Sequence, residues 1–370
     1  MCSIAQQLKE CIDDLDNIEI LDEKEDYIII EDIIINKKMK LTSHYLQDYN
    51  VEMDNSKIVK FKDYGFKFGS YIEVLIEYYS VLDYDTDSAI LTDFTIGDVI
   101  VSISRPSDLF SIVMRELESD KYYDKDCMWT ISLKGITNEN YEEYLTQAIF
   151  LFGYYNASTC SNDYPHTYEF IGEEYYRYAV DDDELINRRK NNKEFEELEF
   201  SPCRYPEALS FYNAGMEISS YEISFQYFYK VLEHFFLITR QDEFINFISN
   251  YNIYHDINIF IDNVTSIYRQ NEDIQLLTLL KSNEVSITSI INEAYNQKII
   301  DEATVVNFSN SLYLYRNRIV HGKNDEKFRI KVPSILISKE ERFWNANIRK
   351  ISEILIEKYC ISKRDSSDEI

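Results

Sequence analysis

Near the end of the chain, the run Arg316-Asn317-Arg318-Ile319-Val320-His321 places a permanent cation, an amide and a titratable imidazole within two helical turns. An arginine offers five N–H donors in a rigid fork that fits a phosphate, and histidine is the side chain whose charge changes near neutral pH. Together they can hold a phosphodiester and move a proton at it. On an ideal helix Arg316 and His321 lie about 140° apart, so the two do not face one another within one chain. Asn317, four residues before His321, does share its face. Gly322 follows as a helix C-cap and puts His321 in the last turn, where the negative end of the helix dipole favours the imidazolium. Two such helices side by side would bring two histidines and two arginines to one phosphate, so a complete site calls for a second subunit.

The electrostatics of the whole chain oppose a broad nucleic-acid surface. Sixty-six acidic residues face 38 basic ones, for a formal charge of −28, which disfavours non-specific attraction to phosphates. The charge is uneven, however. From Arg316 to Lys350 there are ten Lys or Arg against four Asp or Glu, a local balance of +6. This basic island coincides with the motif, and Arg318 and Lys323 within it are read as supporting residues.

Other chemistry is sparse. The cysteines Cys2, Cys11, Cys127, Cys160, Cys203 and Cys360 lie far apart, with no pair at zinc-finger spacing, and read as free buried thiols. His44, His166, His234 and His255 form no sequence-local metal cage, so no metal and no cofactor are expected. His234, beside Glu233 on an aromatic-rich helix, reads as a satisfied structural histidine, and His255 as a helix-entry residue. No apolar run approaches the roughly 20 residues that a membrane span needs. Met1–Asp14 reads as an amphipathic acidic helix without the features of a secretory signal, which points to the cytoplasm and to no membrane partner.

The elements that must position the motif fall into two parts. Residues 1–200 predict an α+β domain. Strands are expected over Tyr27–Ile35, Lys57–Lys62, Ile90–Ser104 and Met128–Leu133, with helices over Ser70–Leu82, Asp108–Leu117 and Asn140–Tyr155. The charged stretch 181–200 reads as an acidic linker, followed by the breakers Pro202 and Pro206. Residues 201–370 keep a helical period throughout. Pro206 opens a first helix running to Ile218, and Ser219-Ser220 caps a second carrying the stripe Tyr221, Phe225, Phe228, Leu232, Phe235 and Phe236. Shorter helices follow over Glu243–Tyr251, Ile257–Tyr268, Ile274–Leu280 and Ile287–Gln297. The motif helix runs from Glu302 to Val320, and a last helix covers Glu341–Tyr359.

An Arg, a polar residue, a short spacer and a His at the end of a late bundle helix resembles the signature of the HEPN superfamily. The segment Leu314-Tyr315-Arg316-Asn317-Arg318-Ile319-Val320-His321-Gly322 is similar to it throughout. The stretch from Pro206-Glu207-Ala208-Leu209 to Phe228-Tyr229-Lys230-Val231-Leu232-Glu233 is similar to the first two helices of such domains. The resemblance covers residues 205–360. It implies an all-α HEPN-like bundle that forms a homodimer and acts as a metal-independent endoribonuclease, leaving 2′,3′-cyclic phosphate and 5′-hydroxyl ends. It gives His321 the role of general acid or base and Arg316 that of phosphate clamp. Asn317 would orient the histidine or the backbone phosphate, and Glu233 would make a supporting contact. It also implies a toxin or antiviral-defence effector. It does not extend to residues 1–200; a further arrangement makes that N-terminal domain the sensor of a phage or cellular trigger that holds the ribonuclease off. The alternative is a non-catalytic HEPN-like module for dimerisation, scaffolding or nucleotide binding.

Overall fold

The structure, a computed structural model, describes residue 9 and residues 15–42, 52–53, 56–61, 64–77, 90–114, 128–137, 140–155, 164–167, 199–218, 220–320 and 338–361. The chain divides into two compact units, Met1–Cys203 and Arg204–Ser362. Apart from Lys9, the helix expected over Met1–Asp14 lies outside the described residues, as does the linker up to residue 198.

The first unit is β-rich. Strands β1 (Ile18–Glu23), β2 (Tyr27–Asp32) and β3 (Lys37–Thr42) form an antiparallel three-stranded sheet. A larger sheet contains β4 (Glu52–Met53), β5 (Ser56–Lys60), β6 (Gly65–Phe68), β7 (Tyr71–Glu77), β8 (Ile90–Ile96), β9 (Val99–Ser104), β10 (Trp129–Lys134), β11 (His166–Thr167) and β12 (Glu199–Phe200). Its order is β12-β8-β9-β10-β7-β6-β5-β4, with β11 paired to β7. The β-branched stretch 90–104 folds as a hairpin. Ile96 pairs with Val99 across a two-residue turn in which Gly97 takes φ +59°, a left-handed conformation that glycine adopts without strain.

Helix α1 (Asp108–Met114) is buried along its whole length. Its Leu109, Phe110 and Val113 share a core with Ile28, Ile30, Met39 and Leu41 of the small sheet and with Phe66, Phe68 and Leu75 of the large one. A buried helix start needs partners for its orphan N–H groups. Asp32 accepts from Leu109 N, the Ser107 hydroxyl accepts from Phe110 N, and Glu73 accepts from Ser107 N. Trp129 of β10 is buried, with the Arg105 guanidinium 3.9 Å over its ring. Helix α2 (Tyr141–Tyr155) completes the described elements of this unit up to β11 and β12.

Two expectations for this unit are corrected. Tyr71–Glu77, expected as part of a helix over 70–82, is strand β7, and residues 78–82 lie outside the described set. The strand lies between β6 and β10, and all of Tyr71–Ile76 is buried, so the polar alternation that marks a half-exposed strand is absent. Residues 199–200, expected as the end of the linker, are strand β12, which pairs in parallel with β8 and buries Phe200 against Phe94.

The second unit is helical: α3 (Pro206–Glu217), α4 (Tyr221–Phe235), α5 (Gln241–Tyr254), α6 (Ile257–Tyr268), α7 (Glu272–Lys281), α8 (Glu284–Asn296), α9 (Val305–Val320) and α10 (Lys339–Tyr359), with a short 3-10 turn at Ile238–Arg240. Pro206 occupies the first turn of α3, where its missing N–H has no intrahelical partner to lose. Ser220 stands at the N-cap of α4 but its side chain makes no capping bond, and Ser219 lies outside the described residues. The apolar stripe of α4 is buried from Phe225 to Phe236, while Tyr221 is exposed. Helix α3 packs on α4 at Gly215, whose carbonyl accepts from the Ser224 hydroxyl, and α10 packs on α4 through the Ser352 hydroxyl bonded to Phe228 O. Among the described residues, no helix is long and apolar enough to cross a membrane.

Candidate functional site

Rotation of α9 about its axis is set by its apolar side. Val305, Phe308, Leu312 and Tyr315 are buried, and Phe308 and Tyr315 pack on Trp344 of α10 at ring separations of 5.3 and 5.8 Å. With that side committed, the next residue, Arg316, comes to face α4 and α7.

There its guanidinium is held at all three nitrogens. One terminal nitrogen, Nη2, meets Glu233 Oε1 of α4 at 3.2 Å, and Nε meets Glu272 Oε1 of α7 at 3.3 Å. The other terminal nitrogen, Nη1, donates to Asn317 Oδ1 at 3.0 Å. The Tyr229 ring lies 5.4 Å from the guanidinium carbon, and the Tyr229 hydroxyl donates to Glu272 Oε1 at 2.8 Å. The cluster is half-buried: the side chains of Arg316, Glu272 and Glu233 are 16%, 28% and 36% exposed. Asn317 is 2% exposed and acts through Arg316, fixing the fork from behind.

Burial raises the Glu233 carboxyl above its ordinary range, and the Arg316 charge opposes that shift. Burial, then the Glu272 charge, pushes the Tyr229 phenol far up, so it remains a neutral donor. Glu272 stands in the first turn of α7, where the helix dipole favours a negative charge. Two carboxylates thus face one guanidinium, and an incoming phosphate must displace at least one of them to form a bidentate contact.

The structure brings Arg316, Asn317 and Glu233 together as a constellation. Arg318, two residues on and about 200° round the helix, points elsewhere: it is ion-paired with Glu340 in the first turn of α10 and lies over the Tyr315 ring. His321, Gly322 and Lys323 lie outside the described residues. Tyr229 and Glu272 were missed in the sequence. Tyr229 had a signal, since it stands four residues before Glu233 and shares its face. Glu272 had none, because its place beside Arg316 comes from the packing of α7 on α9.

The isolated histidines read differently from expectation. His234 packs edge-on against Tyr205 and Phe235, burial lowers its pKa, and its Nε2 has no hydrogen-bond partner among the described residues. Burial favours its neutral form, and among the described residues its Nε2 lacks the partner expected of a satisfied histidine. His255 ends α5 in a left-handed conformation, φ 54°, and Asp256 makes the helix entry by accepting from Asn258 N and Ile259 N. The described residues contain no group of three or more His, Cys, Asp or Glu able to hold a metal ion. No protein-family model, curated protein or solved structure matches the chain.

Proposed function

We propose that the helical unit is a HEPN-type, metal-independent endoribonuclease that works as a homodimer. The observation that supports this reading most is the held Arg316: its fork is oriented by two carboxylates and a buried amide at the last turns of α9, directly before His321. An active-site arginine gains most when its geometry is fixed before the substrate arrives.

In this reading the RNA 2′-oxygen attacks the adjacent phosphorus as its proton passes to one His321. The 2′-O–P bond forms, the P–O5′ bond breaks, and the departing 5′-oxygen takes a proton from His321 of a second copy. The products are a 2′,3′-cyclic phosphate and a 5′-hydroxyl. Arg316 neutralises the charge growing on the non-bridging oxygens, and its guanidinium leaves Glu233 or Glu272 for the phosphate as substrate seats. A role as toxin or antiviral effector, with the first unit sensing a trigger, extends the same proposal.

A second reading is favoured by one feature. All three nitrogens of Arg316 are already engaged within the subunit, which suits a structural tie between α4, α7 and α9 in a non-catalytic dimerisation, scaffold or nucleotide-binding module. Incubating the full chain with RNA in the presence of a chelator separates the two. The nuclease reading expects cyclic phosphate ends, lost in His321→Ala with the fold intact. The scaffold reading expects uncut RNA, with a lower melting temperature in Arg316→Ala.

A further inference from the structure

The basic island holds more cations than the Arg316 cluster uses. Three of them, Lys339, Arg342 and Lys350, line one groove of about 430 Å³ between α8 and α10, together with Glu293, Gln297 and Asn347. In a chain of formal charge −28, three cations converging on one groove are unusual.

Their engagements are weak. Lys339 Nζ donates to the Gln297 carbonyl at 3.2 Å, and Lys350 Nζ sits 4.0 Å from Glu293 Oε2. The exposed Arg342 has no side-chain hydrogen bond or ion pair among the described residues. Glu293 is partly satisfied by Gln297 Nε2 at 2.9 Å. Lys339 and Arg342 also stand in the first turn of α10, capped by Ser338, where the Glu340 charge is taken by Arg318 and Glu341 is turned back into the capping box.

Asn347, on the lining of the same groove, is 1% exposed, and its Nδ2 donates to Phe343 O while its Oδ1 has no partner among the described residues. That oxygen is closed off behind the lining, so the polar reach of the groove comes from its cations. Converging cations and a volume in the range of small-molecule sites describe a seat for a phosphate group.

We propose that the α8–α10 groove is a nucleotide-phosphate subsite in which Lys339, Arg342 and Lys350 take the phosphate. The ligand is one nucleotide of an RNA strand or a free nucleotide. The strand source rests on the nuclease reading. Arg318, beside the motif, is paired with Glu340, which lies between Lys339 and Arg342 in sequence, so a strand in the groove would pass near the end of α9.

Binding tests this without cleavage, in the full chain carrying His321→Ala. The probes are a short single-stranded oligoribonucleotide, AMP and inorganic phosphate. Expected is binding of the oligoribonucleotide and AMP that weakens at least about tenfold in Arg342→Glu/Lys350→Glu, both exposed positions. The salt slope for the oligoribonucleotide should fall by roughly 1. AMP binding without RNA binding assigns the groove to a free nucleotide, and binding of both assigns it to the strand. Unchanged affinity in the double variant, or no binding of either nucleotide probe by the parent, overturns the proposal. Loss of cleavage in the original chain with intact groove binding would count against the nuclease reading alone.

Discussion

Glu272 Oε1 accepts the Tyr229 hydroxyl at 2.8 Å and faces Arg316 Nε at 3.3 Å, so one carboxylate oxygen ties three helices at a single point. Removing Arg316 would leave two half-buried carboxylates without their cation. The cost should fall between that of a surface pair and that of a buried one, roughly 1–3 kcal/mol for Arg316→Ala by urea denaturation. Arg316→Lys should lose most of the same amount, because one ammonium cannot serve Glu233, Glu272 and Asn317 at the separate positions of a planar fork. A lysine variant as stable as the parent would show that the fork geometry is idle.

Neutralising Glu272 tests whether the carboxylates compete with substrate. Glu272→Gln should tighten RNA binding several-fold while lowering the melting temperature, since the guanidinium is then released from one anion. Titration calorimetry with uncut RNA reads the first effect. Unchanged or weaker affinity would mean that Arg316 is not the phosphate ligand.

In the first unit, Glu73 is buried and accepts from the Tyr71 hydroxyl at 2.7 Å, the Thr130 hydroxyl at 2.9 Å and the Ser107 amide at 2.8 Å. Desolvation nonetheless raises its pKa in the folded state. A raised folded pKa means that its contribution to stability is fully present below the unfolded value near 4.3 and is lost as pH rises through the folded value. The stability of the parent relative to Glu73→Gln should therefore decline from acidic towards neutral pH. Paired thermal melts across that range check the sign, and a difference that grows with pH would contradict it.

Gly65 lies at a close backbone approach. A Cβ there would stand 2.1 Å from the Glu73 carbonyl oxygen of the neighbouring strand, whereas one at Gly215 would meet the Phe228 ring at 2.8 Å. A backbone carbonyl in a ladder cannot retreat as a ring edge can. Gly65→Ala should destabilise by more than the ~1–3 kcal/mol usual for overpacking, and Gly215→Ala should stay inside that range. Denaturant titration of the two variants gives the order directly.

The helical unit was the more legible part of the chain, because one side of each main helix is apolar and the other polar. Ile257–Tyr268 matches its expected bounds, and α9 and α10 differ by a few residues at their starts. The first unit was harder where elements are buried on both faces. Strand β7 carries no polar alternation, and its one charged interior residue, Glu73, satisfies itself through partners on α1's entry turn and β10 that lie far away in sequence. At the candidate site, Arg316 and Asn317 could be named from local pattern and Glu233 from the family resemblance. What could not be read was the cost of holding Arg316: Glu272 reaches it only through tertiary packing, and that contact engages a guanidinium that the sequence pattern leaves free.

The chain has two tryptophans, and the fold gives one to each unit: Trp129 inside the large sheet under Arg105, and Trp344 between Phe308 and Tyr315. Each unit therefore carries its own optical reporter. With Trp129→Phe, emission follows the helical unit alone, through an indole wedged against the helix that bears Arg316. The melting of one half of the molecule can then be watched separately from the other, and any coupling between the order of the first unit and that of α9 becomes a measurable change in colour.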